Sequence, residues 1–276
     1  AVSVISSQSD LMPDSFLFNL LDAAIPEINS GASKDVNVDI YHIELIFESL
    51  NKRETISERE LAKLEFAYLP IFDSKNKTLT LHRMLIKSPE LYVDLISAVF
   101  KPASRESQEP TEGQVRIATA AYGVLRDLKI LPGQVENDIS FEILSEWCID
   151  VRARAVDADR VKIVDQYIGK LLAHAPKSNI DDAWPHESVR LIIELFSADE
   201  IEKGLELERY NMRGVYCKAV GEGGDQERAL ASNYFDWAGR VTDHPRTHAM
   251  LTRIGMAWSN EADRADIQAQ KEKLQY

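Results

Sequence analysis

The chain is poor in the residues that would announce a chemistry. Of its 276 residues only two are cysteine, Cys148 and Cys217, which excludes a disulfide scaffold and a four-cysteine zinc site. No apolar run approaches the ~20 residues that span a bilayer, so a membrane partner is not expected. Basic residues are also in deficit: Lys+Arg is 32 against 45 Asp+Glu, a formal net charge of −13. A field of that sign repels phosphate backbones and argues against nucleic acid. No Gly-x-Ser-x-Gly elbow and no Gly-Lys-Ser/Thr phosphate loop occurs. What remains is 45% apolar and 28% charged, the balance of a folded globular chain rather than a disordered one.

The apolar residues recur at helical spacing from end to end. Ile40, Ile43, Phe47 and Leu50 share one stripe, as do Tyr92, Leu95, Ile96 and Val99, then Val161, Val164, Ile168, Leu171 and Leu172, and later Leu251, Ile254, Ala257 and Trp258. Starts are marked by boxes beginning at Ser57, Thr111 and Ser197, by Ser88-Pro89 and His244-Pro245, and by Asp225 after a glycine pair. Stops fall at Pro132-Gly133, Ala175-Pro176 and Gly221. Strand alternation is absent, which predicts an all-α fold of ten or more helices, either an irregular bundle or a degenerate α-solenoid. Asp73 to Thr80 reads as a turn and Asp35 to Val38 as an extended lead-in. Lys101 to Gly113, rich in Ser, Glu and Pro, reads as a linker dividing helical subdomains 1–105 and 106–276. Expected pairs are 140–156 with 159–174, 186–196 with 198–216, and 225–242 with 246–270.

Few residues invite a chemical role. His244 and His248 are four apart, a metal-ligand spacing, but a third ligand and a base are missing, so neither metal nor cofactor is expected. Arg152, Arg154 and Arg160 form a basic cluster that Asp150, Asp157 and Asp159 neutralise. Cys148 falls on an apolar stripe and reads as a buried small residue. Gly221-Glu222-Gly223-Gly224-Asp225 reads as a tight turn whose carboxylates would repel phosphate. Around it gather the candidate binding residues: Asn211, Arg213, Glu227 and Arg228, with Arg213 able to pair with Glu222, Asp225 or Glu227. A structural clamp fits them better than an anion or peptide pocket, and a clamp predicts that Arg213→Ala lowers stability. Trp184, before Pro185 and His186, either staples a helix start or anchors a partner. No catalytic residue stands out.

A longer set of residues resembles a helical region found toward the C-terminal end of large multi-domain bacterial proteins of unknown function. The similarity is carried by Glu65-Phe66-Ala67-Tyr68-Leu69-Pro70, Leu81-His82, Ser88-Pro89, Ile168-Gly169, Trp184-Pro185, Asn211-Met212-Arg213-Gly214-Val215 and Gln226-Glu227-Arg228. It implies a bacterial source and an accessory role, and it brings no catalytic residues. The chain opens on Ala1 rather than Met, which suits a fragment of a larger protein, and sparse cysteine suits the cytoplasm. The expected function is a non-catalytic scaffold or recognition domain, engaging a protein partner or other domains of the same polypeptide. An all-α enzyme with an unfamiliar site and an oligomerisation module remain as alternatives.

Overall fold

The computed structural model describes residues 6–29, 36–53, 55–69, 79–104, 109–219 and 221–273. The fold is all-α, with twelve α-helices among the described residues. Among the described residues no helix is long and apolar enough to cross a membrane. Contacts divide the chain into two compact units, 1–128 and 129–276.

The first unit holds α1 (Asp14–Asn29), α2 (Val36–Asn51), α3 (Glu58–Tyr68), α4 (Leu79–Lys87), α5 (Pro89–Val99) and α6 (Glu112–Asp127). The stripes of α1, α2 and α3 close on one core of Leu17, Leu21, Ile43, Ile46, Phe47, Leu50, Leu61, Leu64 and Tyr68. Each fully buried leucine there contributes about 1.5–3 kcal/mol. Tyr68 donates its hydroxyl to the Leu21 carbonyl at 2.5 Å, so the buried phenol keeps a partner. Glu65, buried in the same unit, accepts from the Leu81 backbone N–H at 2.7 Å and so caps α4. Burial raises its carboxyl above the usual range despite that bond. The Thr111 box forms as expected: Gln114 N–H donates to Thr111 Oγ1 at 3.3 Å and Thr111 N–H to Gln114 Oε1 at 2.9 Å. Ser88 likewise caps α5 through Leu91 N–H.

Several local expectations change. Ser57 precedes α3 but makes no side-chain cap bond. Val36 to Val38 are the first turn of α2, not an extended lead-in. Of the expected turn at 73–80, residues 73–78 lie outside the described set, as do Pro70 and Ile71 of the α3 region. Contacts place the unit boundary between Leu128 and Lys129, and α6 packs on α5 within the first unit.

The second unit opens with a hairpin, Gln134–Val135 paired antiparallel with Asp138–Ile139. This short pairing escapes the all-helical reading because two-residue strands leave no alternation to detect. Then come α7 (Phe141–Asp157), α8 (Val161–Leu172), α9 (Glu187–Phe196), α10 (Asp199–Asn211), α11 (Asp225–Arg240) and α12 (Pro245–Lys273). α7 packs on α8, and α11 lies along α12, both as expected. The expected pairing of α9 with α10 gives way to α8 on α10 and α9 on α7 and α12. Glycine is the cause. A Cβ at Gly169 of α8 would stand 2.8 Å from Leu205 N and closer still to the Ile201 carbonyl. A Cβ at Gly204 of α10 would stand 2.8 Å from the Gln166 carbonyl carbon. Two helices thus meet backbone to backbone where side chains are missing.

The joint between α9 and α10 also differs from its sequence reading. Ser197 ends α9 in the left-handed region (φ 48°) and Ala198 is the N-cap of α10, so the Ser197 box does not form. Asp225 is the first residue of α11, with Gly224 as its N-cap.

Candidate functional site

α10 ends at Asn211, and α11 begins at Asp225. Gly214 (φ 65°), Gly221 (φ 75°) and Gly223 (φ 76°) take left-handed backbone along this stretch. The turn must also pass close to α12: a Cβ on Gly224 would lie 2.7 Å from the Ala262 carbonyl carbon.

Glu227, on the first turn of α11, is fully buried. Arg213 Nη2 lies 2.6 Å from Glu227 Oε1, and Lys218 Nζ lies 2.6 Å from Oε2. Of the three partners open to Arg213 in sequence, the fold brings it to Glu227. Burial alone would raise the Glu227 carboxyl, but the Lys218 and Arg213 contacts outweigh it and hold the group below the ordinary glutamate range. The Arg213 guanidinium stacks 3.4 Å over Tyr216 and 5.1 Å from the Trp258 ring centre. Trp258 is itself stacked with Tyr210 at 4.8 Å and 14°. Lys218 also donates to the Gly223 carbonyl at 2.8 Å. Gln226 donates to the Cys217 carbonyl at 3.0 Å and to Glu222 at 2.7 Å.

Arg228 turns away from this cluster. It forks onto Asp266 of α12 at 2.6 and 3.2 Å and reaches Asp225 at 2.9 Å. Asp266 accepts from Gly224 N–H at 2.8 Å. The Arg228 pair and that bond hold the Asp266 carboxyl below the usual range.

The other candidates separate further. Asn211 is exposed, and its carbonyl accepts from Gly214 N–H. Trp184 is 2% exposed, donates to the Ala175 carbonyl at 3.0 Å, and packs against Tyr234 and Trp237 with Arg209 4.3 Å over its ring. It holds the interior together and is not a surface anchor. Cys217 sits exposed between α10 and α11, while Cys148 is buried and its thiol pushed far up by desolvation. His248 Nδ1 lies 2.8 Å from the Ala238 carbonyl. Among the described residues no three metal-ligating side chains converge. Arg152 is forked onto Asp165 at 2.8 and 3.1 Å, and Arg154 pairs with Asp150 at 3.0 Å, which dissolves the basic cluster.

Two clamps were not legible beforehand. Glu202 of α10 accepts from Arg246 Nε and from Arg253 Nη2 of α12, each at 2.6 Å. Beside it, Glu194 of α9 accepts from the Arg246 and Thr247 N–H groups and so caps α12. Arg190 is 3% exposed; it forks onto Asp181 at 2.6 and 2.9 Å and donates to the Pro185 and Ala183 carbonyls. The signal lies in the sequence as Glu202 with Glu206 and Arg246 with Arg253, spacings that keep each pair on one helix face. Reading it needs the knowledge that α10 and α12 touch.

Open depressions occur in both units. One of about 1150 Å³ in the first unit runs along the end of α5 and α6, walled by Phe100, Val115, Ala118 and Tyr122. Another, about 440 Å³, lies between residues 218–223 and α12 and carries both signs, Lys218 and Arg264 against Glu222 and Glu261. Neither gathers a nucleophile with its base. No family model matches the chain, and no curated protein or solved structure matches it.

Proposed function

We propose that the chain is a non-catalytic helical recognition domain whose partner is a protein or another domain of the same polypeptide. One observation carries this reading. The run from Leu207 to Tyr216 holds five large apolar side chains, Leu207, Tyr210, Met212, Val215 and Tyr216, between 44% and 101% exposed. A stretch of exposed apolar side chains that includes tyrosines matches the composition of protein interfaces. The charged groups beneath it are matched to one another: Arg213 and Glu227 hold the surface in shape rather than offering themselves to a ligand. The net charge of −13 favours a basic protein over nucleic acid as the occupant. A cytoplasmic, accessory place within a larger bacterial protein belongs to the same proposal.

A photo-crosslinking residue at Val215 tests it, with the same residue at Val156, an exposed position of α7, as the control. In the native host the Val215 probe is expected to give a discrete protein adduct that the Val156 probe does not. No adduct at Val215, or the same adducts from both positions, would overturn the reading.

A further inference from the structure

We propose that residues 212–219 form a strap that opens as a unit while the surrounding helices stay folded, with Glu227 as its catch. Opening lifts Arg213 from Trp258, which keeps its stacking on Tyr210.

The case rests on what holds the strap down. It lies between the end of α10 and the start of α11. Met212, Val215, Tyr216 and Cys217 all face solvent, so no large apolar side chain of the strap is buried to resist opening. The holding contacts are polar. Arg213 and Lys218, with side chains 11% and 22% exposed, converge on the single carboxylate of Glu227. Lys218 adds the Gly223 carbonyl, Gln226 holds the Cys217 carbonyl, and Glu222 accepts from Ala219 N–H at 2.7 Å. The Arg213 contact is close, but Glu227 Oε1 has no aligned hydrogen bond, so it lacks the fork geometry that strengthens arginine–carboxylate pairs. Arg213 and Lys218 reach water as the strap lifts, and the Glu227 carboxylate left on α11 loses both partners, which is the cost that keeps the strap closed.

The strap carries Met212, Val215 and Tyr216 of the proposed recognition surface. That opening would regulate this surface rests on the recognition reading; the motion itself does not.

Trypsin tests the motion with the whole chain and no partner. The protease must take the Arg213 or Lys218 side chain into its specificity pocket, and Glu227 holds both in the closed strap. Glu227→Gln is expected to raise the initial cleavage rate after Arg213 and Lys218 at least tenfold, read by mass spectrometry. Cleavage after Arg246 and Arg253, within α12, should stay unchanged. Arg213→Gln, which keeps the Glu227–Lys218 pair, provides the second variant and should speed cleavage after Lys218. Acceleration of strap and helix sites together would show that the strap opens only by general unfolding. No acceleration at the strap in either variant would show that Glu227 is not the catch. Either result overturns the proposal.

Discussion

Alanine at Gly169 or Gly204 is expected to destabilise the second unit by about 3 kcal/mol, the upper end of what overpacking costs. The sign is the informative part. Inside a helix, glycine to alanine ordinarily gains about 0.5–1 kcal/mol. Here the new methyl would meet backbone, Ile201 and Leu205 in one case and Gln166 in the other, and backbone cannot swing aside as a side-chain tip can. Gly239 of α11 has nothing within 4 Å of its would-be Cβ, so Gly239→Ala should stabilise by the ordinary amount. All four tryptophans, Trp147, Trp184, Trp237 and Trp258, belong to the second unit. Their fluorescence during urea unfolding therefore reports that unit alone. Equal and favourable shifts for all three variants would show that α8 and α10 do not meet at their glycines.

Asp181→Asn is expected to cost about 3 kcal/mol at neutral pH, because it leaves the enclosed Arg190 guanidinium without its anion. The asparagine keeps one acceptor, which places the cost at the lower end for a broken buried pair. The pH dependence is as specific. The Arg190 fork lowers the Asp181 carboxyl from 3.8 to about 2, helped by the Ala183 N–H. A carboxyl depressed in the folded state stabilises fully above its unfolded value, near pH 4. That contribution, about 2 kcal/mol, is lost as pH falls through 2. The stability gap between wild type and Asp181→Asn should thus be constant above pH 5 and narrow between pH 4 and 2. A gap that does not narrow there would detach Asp181 from Arg190.

Helix identity was legible because it depends on spacing within one segment. The stripes through Ile43, Phe47 and Leu50, or Val164, Ile168 and Leu171, are all buried and need no knowledge of the partner. Thr111 and Ser88 were equally readable, since a cap is satisfied within three residues. What failed depends on distance. Ser197 carries a capping pattern, yet the sharp joint between α9 and α10 needs a left-handed residue there, and that need prevails. The pairing of α10 with α8 hangs on Gly169 and Gly204, each of which looks like an ordinary helical glycine until the other is placed against it. For the site, Arg213 with Glu227 was within reach because both flank one turn. Trp184 was ambiguous because a bulky residue before a helix start serves burial and display alike. The Glu202 clamp joins residues more than forty apart, beyond what local patterns encode.

The central claim is that buried charge among the described residues holds helices together. Glu202 is its sharpest case: 5% exposed, with two arginines of α12 on its oxygens. The deciding measurement is the unfolding free energy of Glu202→Gln by tryptophan fluorescence. A structural carboxylate predicts a loss of about 2 kcal/mol, since the amide turns an N–H₂ toward a guanidinium. Residues retained for activity are commonly held at the expense of stability, and replacing them stabilises. A Glu202→Gln protein as stable as wild type, or more so, would contradict the account.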